Sequence, residues 1–241
     1  MNRIILVTGS NGGIGYELVK LLAQQGNTVY LASRTESNGK EAQARLKAED
    51  GLEVKYVQLD VTNDESISRA RHIILANEGK LDVLVNNAGI PSAAYSKASE
   101  VTIDNLESVL RTNYFGTVRV TTAFYPLLRQ SKAGVIVNVS SELGSNTLQG
   151  NPKTAVPGLL TSYGTSKAVL NAYTTYLARE AKEDGIRVNA VSPGWTQTKL
   201  TGQTGGQTPL DGAKVLLPWV VLEPGDERTG MFWGPSGELP W

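Results

Sequence analysis

The chain has no cysteine and a single histidine, His72, among its 241 residues. Without a thiol there is no disulfide, no thiolate metal ligand and no cysteine nucleophile. One imidazole cannot build a histidine-rich centre, so no metal is expected. A serine hydrolase triad would need His72 beside Ser140 or Ser141, yet it lies in the plain helical stretch ESISRARHIILANEG, where nothing brings it to either. Net charge is missing too, because 23 basic and 23 acidic side chains cancel. That removes the field that would draw the protein to nucleic acid or to an anionic membrane. No apolar run approaches the roughly 20 residues that cross a bilayer. The opening MNRIILVTGS becomes strand-like by residue 4, too early for a secretory leader. A cytoplasmic protein that binds small molecules is therefore expected.

What the chain does have is alternation. A length of 241 residues with 40% apolar composition suits one large α/β core, a single domain over residues 1–241. RIILVT, NTVYLAS, LEVKYVQL, LDVLVN, AGVIVNVS, GIRVNAVS and GMFW read as strands, several apolar on both faces as a buried parallel sheet requires. Helical stretches separate them, among them YELVKLLAQQ, IDNLESVLRTNYFGTVRVTTAFYPLLRQ, SYGTSKAVLNAYTTYLAREAKEDG and DGAKVLLPWVVLE. The pattern predicts a doubly wound parallel sheet of about seven strands with helices on both faces. Two stretches rich in Gly, Thr, Asn, Gln and Pro lack periodicity, and these predict substrate loops at 141–162 and 196–212.

VTGSNGGIG, residues 7–15, follows the first strand and opens the first helix. In that context Gly9 permits a tight turn, Gly13 a close approach to a pyrophosphate, and Gly15 close packing of helix on sheet. The helix N-terminus then offers its N–H groups to the anion. The second strand ends in YLASR, so Ser33 and Arg34 stand where an NAD enzyme usually offers a carboxylate to the adenosine ribose. A guanidinium there binds a 2′-phosphate that a carboxylate would repel, so NADP(H) is expected over NAD(H). Gly12 works against this, since a basic residue there would supply a second phosphate contact.

Read together and in order, TGSNGGIG, LDVLVNNAGI, TNYFGT, VNVSS, YGTSK and SPGWTQT resemble the short-chain dehydrogenase/reductase family over essentially the whole chain. RTNYFGT, PGWTQTKL and the aromatic C-terminal end are most similar to its carbonyl reductase-like members. The resemblance implies that Asp60 and Val61 flank the adenine and that Asn87, Ala88 and Gly89 line the ribose side. It places Pro193, Gly194, Thr196 and Thr198 at the nicotinamide end, and adds Ser10, Asn11 and Ile14 to the glycines of the loop. For Asn86, Asn87 and Gly89 a structural role, tying the fourth strand to its neighbours, competes with direct contact.

Tyr163 and Lys167 are one helical turn apart and so share a face. A neighbouring ammonium stabilises a phenolate, so Lys167 is expected to lower the pKa of Tyr163 from its usual value near 10. The family resemblance implies that Tyr163 gives a proton to the carbonyl oxygen in reduction and takes it back in oxidation, while Lys167 also holds the nicotinamide ribose. It implies that Ser141 hydrogen-bonds the reacting oxygen, with Ser140 as the adjacent alternative, and that Asn113 supports a water leading from Lys167 to solvent. Ser141 and Tyr163 are separated by the SNTLQGNPKTAVPG insertion. That insertion is expected to wall the substrate pocket with Tyr95, Glu142, Leu148, Trp195 and a mobile lid after residue 198.

The expected activity is reduction of a ketone or aldehyde to an alcohol, by a broad carbonyl reductase or by a tailoring enzyme of secondary metabolism. The alternative is a catalytically silent NADP(H)-binding sensor. Retention of Asn113, Ser141, Tyr163 and Lys167 together argues against the alternative. Monomer and homo-oligomer stay equally open.

Overall fold

The structure, a computed structural model, describes residues 2–92, 97–154 and 160–241. Its strands are β1 (Ile4–Val7), β2 (Thr28–Ser33), β3 (Lys55–Gln58), β4 (Val83–Asn86), β5 (Val135–Val139), β6 (Arg187–Val191), β7 (Phe232–Gly234) and β8 (Gly237–Glu238). They form one sheet in the order β3-β2-β1-β4-β5-β6-β7-β8. All neighbours run parallel except β7 and β8. The eighth strand, a two-residue hairpin return, is the departure from the seven expected. It is too short to leave an alternating pattern in the sequence.

The helices are α1 (Gly13–Gln24), α2 (Glu36–Asp50), α3 (Asp64–Glu78), α4 (Ile103–Leu110), α5 (Thr117–Leu128), α6 (Asn146–Gly150), α7 (Thr161–Ala181) and α8 (Pro209–Val220). Successive strand residues point to opposite sides, and each side is apolar. Ile4, Leu6, Leu84, Ile136 and Val188 join α3, α5 and α7 in one core. Ile5, Val7, Val85, Val137 and Val191 join α1, α2 and α8 in the other. Burial on both faces explains why these strands read as continuous apolar runs.

Neither irregular stretch is a plain loop. Residues 142–144 form a 3₁₀ turn started by Ser141, and Ser145 caps α6 by accepting from the Leu148 N–H. The second stretch ends at Thr208, whose reciprocal bonds with Asp211 form a capping box for α8, with Pro209 in the first turn. Three- and five-residue helical turns are too brief to register as a 3.6-residue period. The order of the strands reverses direction between β1 and β4, and a crevice opens at their carboxyl ends.

Candidate active site

The glycine loop is shaped by close contact. A Cβ at Gly9 (φ +61) would lie 2.8 Å from Ala88 Cα, and one at Gly15 would lie 2.9 Å from Ser10 Cα. Backbone must pass where a side chain would stand. Asn87 draws the strand-end segments together, its amide donating to the Thr8 carbonyl at 2.8 Å and the Gly9 carbonyl at 3.0 Å. α1 then begins with no side-chain cap and no acidic residue in its first turn. Its leading N–H groups are thus available to an anion.

Around this terminus lies a cleft of about 760 Å³, walled by the ends of β1 to β4 and by residues 197–203. Of the residues expected to meet a cofactor, Gly9, Asn11, Gly13, Ile14, Gly15, Arg34, Asp60, Val61, Asn87, Ala88, Gly89 and Thr198 line it. Size, glycine cradle and open helix terminus fit a dinucleotide. Ser10 and Ser33 line neither this cleft nor the pocket beyond it. The Ser10 hydroxyl donates to the Val7 carbonyl at 2.8 Å and accepts from the Ala32 N–H, while that of Ser33 donates to the Thr35 carbonyl. Their side chains fold the turns after β1 and β2. Arg45 and Glu49 of α2, Tyr16 and Glu17 of α1, and Lys199 also line the cleft and were not legible as such. Their position depends on how α1 and α2 dock, which no local motif encodes.

The cleft continues into a narrower pocket of about 130 Å³, sharing Ile14, Asn87, Gly89, Thr198 and Leu200 with it. Tyr163, Lys167, Ser141, Pro193, Gly194, Trp195 and Thr196 come together here, as expected. Lys167 is 4% exposed, its Nζ donating to the Val139 carbonyl at 2.8 Å and standing 5.6 Å from the Tyr163 ring centre. Burial pushes its ammonium down to about 8 and pushes the Tyr163 phenol up. This corrects the expectation that Lys167 lowers the phenol's value. The ammonium sits over the ring face and donates to backbone, so desolvation outweighs it.

The two serines divide clearly. Ser140 is 2% exposed and its hydroxyl donates to Asn171 at 2.6 Å. Among the described residues Ser141 only accepts, from the Leu143 N–H at 3.2 Å, which keeps its own proton for a ligand. Its neighbour segment is pinned on α7, since a Cβ at Gly144 would meet the Lys167 backbone at 2.6 Å.

Asn113 lines neither the cleft nor the pocket. It is fully buried in a π-helical segment, Arg111–Gly116, that joins α4 to α5. Its Oδ1 accepts from the Ile90 N–H at 2.8 Å and its Nδ2 donates to the Ile90 carbonyl at 3.1 Å and to Ser166 Oγ at 3.0 Å. The side chain ties the segment after β4 to α7, and beside Gly89 it comes close to Lys167, since a Cβ there would lie 3.4 Å from Asn113 Oδ1 and 3.9 Å from Lys167 Nζ. Asn86 plays the structural part expected of it, donating to Thr121 at 3.0 Å and Asn138 at 2.9 Å.

Other expected walls lie elsewhere. Leu148 packs against Ala190, Phe232 and Leu239, and Glu142 does not line the pocket. Tyr95 lies outside the described residues. The segment after 198 does wall the pocket, through Leu200 and Thr201, with Thr201 donating to the Thr196 carbonyl at 2.7 Å and the Trp195 indole to the Thr204 carbonyl at 2.6 Å. Trp195 is held there half-exposed at the pocket mouth. His72 is exposed on α3, its Nδ1 2.8 Å from the Ser68 carbonyl oxygen, and lines neither site. Among the described residues no group of three or more His, Cys, Asp or Glu could hold a metal, and no helix is long and apolar enough to cross a membrane.

Comparison with known proteins agrees with this architecture. The model of the family described as short chain dehydrogenase matches residues 3–208. The chain is 32% identical to (+)-neomenthol dehydrogenase of Capsicum annuum, over 95% of each. It is 31% identical to carbonyl reductase [NADPH] 1 of Rattus norvegicus, over 99% of this chain and 98% of that one. Among solved structures, NADPH-bound carbonyl reductase from chicken fatty liver superposes with a TM-score of 0.85 at 27% identity, covering 100% of this chain and 99% of the other.

Proposed function

This chain belongs to the short-chain dehydrogenase/reductase family, and from that premise we propose that it is an NADPH-dependent reductase converting a ketone or aldehyde to an alcohol. The observation that carries the reading is one pocket presenting a half-buried phenol (Tyr163) and a serine proton donor (Ser141) at the end of a dinucleotide-sized cleft. The cofactor, when bound, supplies the hydride. Ser141 donates to the carbonyl oxygen and orients it, and Tyr163 gives that oxygen a proton as negative charge gathers on it. Tyr163, its phenol shifted up by desolvation, is protonated at neutral pH, the state an acid needs. The Lys167 ammonium opposes the negative charge left on the phenol. Asn113 holds the wall behind Lys167 by fastening Ile90 to Ser166.

Arg34, which lines the cleft, supports NADPH over NADH, as do the NADPH carbonyl reductases among the relatives. Apart from Lys167 the pocket's described lining carries no Asp, Glu, Lys, Arg or His. Residues 93–96 and 155–159 contain none in the sequence either. An uncharged substrate follows, in line with a relative such as (+)-neomenthol dehydrogenase and with a tailoring role. The test is a panel of neutral ketones and aldehydes beside matched keto acids, followed by NADPH absorbance with NADH in parallel. Oxidation of NADPH by neutral members is expected. Tight NADPH binding with no turnover on any carbonyl would favour a silent sensor instead.

A further inference from the structure

We propose that Arg45, on α2, is a second determinant of cofactor choice, binding the 2′-phosphate together with Arg34; this rests on the NADP(H) reading above. Gly12 supplies no cation beside that site, and a Cβ there would meet nothing within 4 Å. The space next to the glycine loop is open. One turn along α1, Tyr16 carries the Arg45 guanidinium over its ring, Cζ 4.4 Å from the centre. Stacking on a ring face holds the group while leaving its in-plane N–H donors for an anion. Arg34, Arg45, Gly12 and Tyr16 line one cleft.

Two further facts make Arg45 more than a surface charge. Glu36 pairs with Lys40 at 2.6 Å and Glu53 with Lys47 at 2.8 Å, so neither of these acids engages Arg45. Among the described residues neither Arg34 nor Arg45 joins an ion pair. Glu17 and Glu49 line the same cleft, and their carboxylates would repel a phosphate that had Arg34 alone to hold it. A second guanidinium in the same cleft offsets that repulsion. Arg45 therefore takes the part that a basic residue at position 12 would have played.

The experiment compares adenosine 2′,5′-bisphosphate with adenosine 5′-monophosphate, which differ only in the 2′-phosphate, by calorimetric titration of the full chain. Wild type, Arg34→Ala, Arg45→Ala and Arg45→Lys are measured, with thermal unfolding as a check on folding. In Arg45→Ala the preference for the bisphosphate is expected to fall about tenfold, the size of one charge-assisted hydrogen bond. Arg45→Lys should recover only part of it, because the planar fork is lost. Equal weakening of both nucleotides, or no change in Arg45→Ala while Arg34→Ala loses the preference, would overturn the proposal and leave the NADPH reading standing. A wild type without preference for the bisphosphate would overturn both.

Discussion

Tyr163 and Lys167 are where sequence spacing and three-dimensional environment give different chemistry from the same pair. Helical spacing puts them on one face, but burial sets their proton affinities, the phenol up and the ammonium down to about 8. Under the proposed mechanism Tyr163→Phe removes the proton donor and nothing else. We expect kcat to fall by about 10²–10⁴ while the NADPH dissociation constant, read by fluorescence titration, stays within about twofold. Weak cofactor binding in that variant would make Tyr163 a structural residue. The lysine gives a separate signature. A base with a depressed value is charged below it and neutral above it, so its ammonium is present below about 8 and lost as pH rises through that value. Reduction at saturating substrate is therefore expected to be level on the acid side of about 8 and to decline on the alkaline side, by at most about tenfold per unit. A rate still level well above that point would separate Lys167 from proton transfer.

At the scale of elements, the junction between α4 and α5 shows what the sequence did and did not disclose. The stretch from 103 to 130 reads as one amphipathic helix, and most of it is helical. The wider π turn over Arg111–Gly116 leaves no trace in composition, because one residue added to a turn alters neither propensity nor polarity. Such turns persist when a side chain is needed where a regular helix would not put it, and here Asn113 is buried with three hydrogen bonds. Asn113→Ala leaves the Ile90 N–H and carbonyl without their partner, a cost of about 1–3 kcal/mol. At roughly 2–4 °C per kcal/mol for a chain of this size, calorimetry should show a loss of roughly 2–12 °C. kcat is expected to fall as the Lys167 wall loosens. An unchanged melting point would mean that water replaces the amide at no cost. The strand runs were legible because burial on both faces demands continuous apolar residues, and the glycine loop because its backbone contacts exclude a Cβ. Leu148 was misread for the opposite reason. Whether a leucine in an irregular stretch faces a ligand pocket or the Phe232 side of the sheet depends on tertiary packing alone.

Across the whole molecule the cleft is a seam rather than a feature of one element, since its walls come from the ends of four strands, from α1 and α2, and from residues 197–203. A ligand filling that seam binds only when all of those pieces are in place, so its binding energy becomes stability of the entire fold. At about 100 times its dissociation constant NADPH should add about 2.7 kcal/mol, which by the same conversion raises the melting point by roughly 5–11 °C. Dye-monitored melting checks this before any substrate is known. NADH at the same concentration should give a smaller rise, because it offers Arg34 no phosphate. If the 2′-phosphate improves binding about tenfold, the two cofactors differ by about 1.4 kcal/mol, or roughly 3–6 °C. Equal shifts would mean that no group along the seam, Arg34 included, discriminates between the cofactors, and the preference for NADPH would fall.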